Sequence, residues 1–190
     1  MKKIIVLLML VFIGASTTIY AQESKSESRR AERKAQRDAE KAREKIEEER
    51  AYTDAVQAIK ERKFVLEADR VTFKRGRSAF VTSNTNFILL NGDRASVQIA
   101  FNGAFAGPIG GVTVDGTVGE VKTTTDKKGN VTCNFSVTGV GISAQVSIRL
   151  THGRNNVSAT VNPNFNSNRL TLDGKLVPLS ESNIFKGRSF

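Results

Sequence analysis

The chain has no tryptophan, one histidine, one cysteine and three prolines among 190 residues. Each scarcity excludes something. One cysteine cannot form an internal disulfide. Cys133 lies in the run Val131, Cys133, Phe135, Val137, which alternates with Thr132, Asn134, Ser136 and Thr138. The thiol therefore shares an apolar strand face and is expected to be buried as a small hydrophobe. A lone histidine, His152 beside Gly153, gives no Ser-His-Asp set unless nucleophile and carboxylate converge on it. Its place beside Gly153, in what reads as a hairpin turn, points instead to an exposed turn. One Cys and one His on different elements also fall short of the three or four ligands a zinc site takes. No cofactor is implied. Tyrosine occurs only at 20 and 52, so the ring platforms that often flank a sugar-cleaving carboxylate pair are missing. Glu67 and Asp69, on one face of an extended segment, read as solvent-face acids and not as a glycosidase pair.

Long hydrophobic runs are scarce too. The one present, Ile4 to Ile13, follows Lys2 and Lys3 and leads through Ser16, Thr17 and Thr18 to Tyr20-Ala21-Gln22. That order is the layout of a secretory signal peptide spanning 1–21, with cleavage expected after Ala21. About ten apolar residues are short of the roughly 20 a spanning helix needs, so no stable transmembrane anchor is expected. No cysteine follows the run to carry a lipid. The expected location is periplasmic or secreted. The net charge of +10 falls to +8 once Lys2 and Lys3 leave. Such a chain is drawn to polyanions, which outside the cytoplasm means an anionic lipid or glycan of the envelope and not nucleic acid.

Composition then changes near residue 64. Residues 22–63 contain neither Gly nor Pro and are rich in Ala, Glu, Lys and Arg, the strong helix formers. Opposite charges at i+3 (Arg29 and Glu32, Arg37 and Glu40, Asp38 and Lys41, Glu47 and Arg50) are expected to add small increments. Acids and bases look interleaved, which argues against a nucleic-acid surface. Ala31, Ala35, Ala39, Ala42 and Ile46 make too thin a stripe for a good coiled-coil seam. Tyr52, Ala55, Val56 and Ile59 form a better apolar face. Glu47 to Arg62 is expected to dock on the β domain that follows, and Ser26 to Lys45 to project into solvent or fray.

Residues 64–179 are the reverse, sparse in charge and rich in Gly, Thr, Ser, Asn and β-branched residues. Short alternating runs recur between turn signals: Asn86 to Leu90, Asn91-Gly92, Ala95 to Phe101; a long stretch Val112 to Thr125 bent near Gly116 or Gly119; Asp126 to Asn130; then the Cys133 run, Ile142 to Leu150, Val157 to Val161 and Leu170 to Leu176. Phe64 to Phe73 adds one or two strands. The fold class is mainly β, an antiparallel meander of about eight strands closed as a small barrel or sandwich and preceded by a charged α-helix. Residues 180–190 read as a polar C-terminal tail. Gly103 to Gly111 precedes a strand and not a helix, so it reads as a structural loop and not a phosphate cradle. Arg70, Lys74, Arg75 and Arg77 cluster around a turn at Gly76 and, with Arg94, form the candidate anion-binding patch.

Taken in order, the segment Asn86-Phe87-Ile88-Leu89-Leu90, Gly92 and Ala95 before Gln98-Ile99-Ala100-Phe101, the pair Gly110-Gly111, Asp115-Gly116, Lys127-Lys128-Gly129 and the final Leu172-Asp173-Gly174-Lys175-Leu176-Val177-Pro178-Leu179 resemble an uncharacterised family of secreted Bacteroidetes proteins, the domain-of-unknown-function family forty-two fifty-one. The resemblance covers roughly Ala51 to Leu179. It implies a cell-envelope protein of mainly β fold and brings no activity or catalytic residues. The expected function is that of a non-enzymatic binding or structural module; the alternative is a lipocalin-like carrier of a small apolar or anionic ligand.

Overall fold

The structure is a computed structural model describing residues 2–100, 112–139, 143–164 and 169–185, with side chains from Arg29 onward except that of Val112. A helix α1 (Lys2–Glu61) is followed by ten strands: β1 (Lys63–Phe73), β2 (Ser78–Phe80), β3 (Phe87–Asn91), β4 (Arg94–Ile99), β5 (Val112–Val118), β6 (Lys122–Thr125), β7 (Val131–Gly139), β8 (Ser143–Leu150), β9 (Asn156–Pro163) and β10 (Leu170–Pro178). The chain forms two compact units, Met1–Glu47 and Glu48–Phe190. The boundary falls inside the helix and not at its junction with β1, because the helix's last turns contribute Ala55, Ala58 and Ile59 to the barrel's buried core. Among the described residues no helix is long and apolar enough to cross a membrane.

The second unit is a closed up-and-down barrel. Its order is β10-β9-β8-β7-β5-β4-β3-β1, all antiparallel, and β1 pairs back onto β10. Of the barrel-or-sandwich pair, the barrel is realised, which leaves no open sheet edge along these eight strands. Two of the eight wall positions are filled by interrupted strands. β7 is flanked on one side by β5 at Val137–Gly139 and by β6 at Val131–Asn134, so the long Val112 to Thr125 stretch breaks at Gly119–Val121. Likewise β1 is flanked by β3 along Lys63–Glu67 and by β2 along Arg70–Thr72.

Alternation decides which side chains face in. β7 reads buried at Val131, Cys133, Phe135 and Val137 and partly or fully exposed between them, as period-two patterning requires. The same alternation brings Phe64, Leu66, Ile88, Leu90, Ile148, Leu150, Leu172 and Leu176 inside at full burial. Eight strands enclose an interior that side chains of this size can fill. At one end the barrel is met by the helix. Arg62, at a left-handed φ of 56°, ends it, and Gly92 N–H donates to the Arg62 carbonyl at 2.8 Å. Gly92 itself, at φ 64°, supplies the expected tight turn between β3 and β4. The Tyr52 hydroxyl donates to the Gly129 carbonyl at 2.6 Å and its ring meets His152 edge-on at 5.0 Å. Glu48 pairs with Arg154 at 3.3 Å. The last four turns of the helix are thus fastened to the β3–β4, β6–β7 and β8–β9 turns, all of which lie at this end.

The closing seam contains a bulge. Pairing runs Ala68 with Gly174, then skips Asp69 and resumes Arg70 with Asp173. The bulge drives the two backbones together. A Cβ on Gly174 would stand 2.0 Å from the Glu67 carbonyl oxygen and 2.8 Å from Ala68 Cα. Backbone atoms held in a ladder cannot yield as a flexible side chain would. Gly174→Ala is therefore expected to lower stability by about 1–3 kcal/mol in denaturant unfolding, whereas Gly153→Ala, which meets nothing within 4 Å, carries only the milder strain of its positive φ.

Candidate functional site

The five cations expected to form an anion patch do not share one place. Lys74, Arg75 and Arg77 sit exposed on the β1–β2 hairpin, closed by Gly76 N–H to the Phe73 carbonyl and Phe73 N–H to the Arg77 carbonyl, each 2.8 Å. Arg94 lies at the opposite end of the barrel. It pairs with Asn91, which pairs with Lys63, and Lys63 is ten residues along β1 from Phe73, roughly 33 Å of strand rise. Only three-dimensional register separates them, because the chain turns back between β1 and β4. Arg70 is on the barrel wall, where its Nε donates to Asp173 Oδ2 at 3.1 Å. The two side chains are half-exposed and partly buried, so the pair adds little stability, but it fixes where the guanidinium points.

Arg70 belongs to a different feature, a groove of about 560 Å³ on the outer face of β1, β10, β9 and β8, lined among others by Asp69, Arg70, Phe80, Arg149, Asn156 and Asp173. The register explains the grouping. Arg70 stands opposite Asp173, Asp173 opposite Ser158 and Ser158 opposite Arg149. The arginines are three strand spacings apart, about 14 Å, too far to grip one small anion together. Phe80 is 89 % exposed and stands at the groove on the short strand β2. The surface offers a bare ring, two guanidiniums and two carboxylates along a shallow trough. Such a surface suits an extended polar ligand with an apolar patch better than a compact phosphate. Sequence reasoning missed Phe80, Arg149 and Asp173 as a group, since no spacing along the chain signals a row running across four strands.

Glu67 and Asp69 are engaged differently. Asp69 is the unpaired bulge residue, its carbonyl accepting from Val81 N–H at 2.8 Å, and Glu67 accepts the Ser182 hydroxyl at 2.5 Å. His152 is exposed, as expected for a turn residue, and lies on Tyr52. Among the described residues no three His, Cys, Asp or Glu side chains are grouped to hold a metal. Asp126 accepts from the Lys128 and Asn130 backbone N–H groups and the Asn130 amide, and Arg149 stands 3.8 Å away. Asn130's side chain foremost holds the carboxyl below its ordinary value. The Gly103 to Gly111 loop, Gly141 and Ile142 lie outside the described residues.

Residues 180–185 of the polar tail are bonded to the barrel, and 186–190 lie outside the described residues. After β10 a 3-10 turn (Leu179–Glu181) leads the chain back over the outer face of β1, β3 and β4. Ser182 reaches Glu67, Phe185 N–H donates to the Asn84 carbonyl at 2.8 Å, and Gln98 Nε2 donates to the Phe185 carbonyl at 2.9 Å. Glu67, Phe87 and Gln98 form one row across three strands. Phe87 and Val65 point outward yet are fully buried, and they stand apart from the main core cluster. Nearby, the Asn86 amide donates to the Ala100 carbonyl and accepts from its N–H, both at 2.8 Å. A side chain thereby continues the β3–β4 ladder where the backbone has turned away.

With this geometry the molecule falls into the class of closed eight-stranded meander barrels stopped at one end by a helix. The model of the family described as "Domain of unknown function (DUF4251)" matches residues 46–176, and the chain belongs to that family. The match begins two residues from where the helix joins the barrel unit. The chain is similar to a crystal structure of a DUF4251 family protein from Bacteroides eggerthii, with 58 % identity over 77 % of this chain and 99 % of that one and a TM-score of 0.67. No curated protein matches the chain.

Two measurements check these placements. Removing Ser180 onward breaks the Ser182–Glu67, Phe185–Asn84 and Gln98–Phe185 hydrogen bonds and is expected to lower stability by about 2–4 kcal/mol in thermal or urea unfolding. Cys133 is fully buried, and burial pushes its thiol above the ordinary value, offset in part by a hydrogen bond with Thr123 and by Arg62. In mildly alkaline buffer it is expected to resist a thiol reagent in the native state and to react at once in denaturant.

Proposed function

We propose that the chain is an exported module of the cell envelope that holds a partner on its outer surface and has no catalysis of its own. The observation that carries this reading is the division of the barrel between inside and outside. The largest inward side chains, among them Phe64, Phe135, Leu66, Ile148, Leu150 and Leu172, are packed into a single buried cluster. The outward wall carries the groove with its exposed Phe80, Arg70 and Arg149. The Lys2, Lys3 and Ile4 to Ile13 segment supports export. The excess of basic residues supports an anionic envelope partner.

One observation favours a second reading. Closed eight-stranded meanders are also the architecture of lipocalin-like carriers, in which the barrel holds one small ligand. Native mass spectrometry of the protein recovered from cell envelope and medium separates the two. The expected result is a chain beginning near Gln22 with no apolar passenger. A stoichiometric small molecule released by organic solvent would establish the carrier instead. An uncleaved chain confined to the cytoplasm would overturn export.

A further inference from the structure

The interleaving of acids and bases along the arm does not survive coiling into a helix. At 3.6 residues per turn, Arg30, Arg33, Lys34, Arg37, Lys41 and Lys45 fall within about a third of the helix circumference. Four turns of chain, about 22 Å, carry them. Arg30, Arg33, Lys34, Arg37 and Lys41 line one shallow surface, bounded by Asp38. Glu44 is the acid that lies among them. All six cations are exposed. The expected i+3 partners do not engage them. Among the described residues the arm's i+3 pairs are not closed within 4 Å, and the ion pair within the helix is Arg50 with Asp54 at 3.7 Å. Ala31, Ala35, Ala39, Ala42 and Ile46 occupy the opposite side.

We propose that this basic face docks on a membrane surface rich in anionic phospholipid headgroups. It deepens the envelope reading, on which it rests for where the chain meets such a surface. Three features favour lipid over other polyanions. The cations are spread along one side of the helix over about 22 Å, so a plane engages all of them at once, whereas a compact anion would meet one or two. Glu44 sits within the face. A fluid surface lets headgroups move away from it, whereas a nucleic acid presents phosphates at fixed positions. The arm has no aromatic residue between Gln22 and Ala51 on which a base could stack. The alanines opposite offer too little apolar area for insertion, so the helix lies at headgroup level, held by charge.

The test is sedimentation of the full chain with vesicles of phosphatidylcholine alone or mixed with equal phosphatidylglycerol. Comparing the two compositions cancels any contribution of the Ile4 to Ile13 run. The expected result is strong preference for the anionic vesicles that weakens as salt rises. The variant R33Q/K34Q/R37Q/K41Q is expected to lose roughly 10²–10³-fold in that preference, at about fivefold per charge. Glutamine keeps helix propensity, and circular dichroism verifies it. The variant K122Q/K127Q/K128Q/K175Q removes the same charge from the barrel and is expected to keep nearly all binding. Equal loss in both variants would show that net charge, not the face, is read, and would overturn the proposal. So would equal binding to both vesicle types, or preference for a DNA duplex or a sulfated polysaccharide competitor over the vesicles. None of these results bears on signal cleavage, which mass spectrometry reads separately.

Discussion

The barrel depends on one seam. β1 must find β10, separated from it by the whole of the intervening domain, and the two strands meet across a bulge that leaves room for no side chain at Gly174. Every other pairing joins neighbours along the meander and could form in an open sheet. Only this one converts the sheet into a closed wall. Closure sets Leu66 opposite Leu176 and Val71 opposite Leu172, so residues from opposite ends of the domain enter one buried cluster. The bulge also decides the outer surface, because it places Asp69 and Arg70 outward side by side and so begins the groove that runs to Arg149. A steric requirement inside and a polar trough outside thus have a common origin.

Much of this was legible along the chain. The period-two runs at Val131–Val137 and Val157–Val161, the Asn91-Gly92 turn and the break in composition near residue 64 defined strands, turns and a helix followed by β structure, because each is a local property. The docking of the helix end could also be read, since Tyr52, Ala55, Val56 and Ile59 recur at helical spacing. The burial of Cys133 followed from the company it keeps. What was not legible depends on register. The position of Arg94 relative to Arg75, the row from Arg70 to Arg149 and the bulge at Asp69 all require knowing which residue stands opposite which, and no single strand contains that information.

The tail and the arm show two other ways a sequence conceals its use. Ser180 to Phe185 is polar and short, so its composition suggests solvent. Its binding to the wall is through backbone groups and Ser182, which any composition can supply. In the arm the information was present but masked by linear order. Charges that alternate along the chain segregate when projected around a helix, and the alanines that make a weak seam are the far side of the basic face. Phe87 and Val65, which read as core from the sequence, are fully buried yet stand apart from the main core cluster.

The tail's position has a consequence for biosynthesis. Its residues are the last described ones to be translated, and the groups they bond, Glu67, Asn84 and Gln98, belong to the first half of the domain. A nascent chain therefore lacks these ties until almost the whole sequence has been made. Any product that ends early lacks them permanently. The tail acts as a completeness mark. A finished chain is fastened back onto its early strands, and an interrupted one leaves them looser, in the state that chaperones and proteases select.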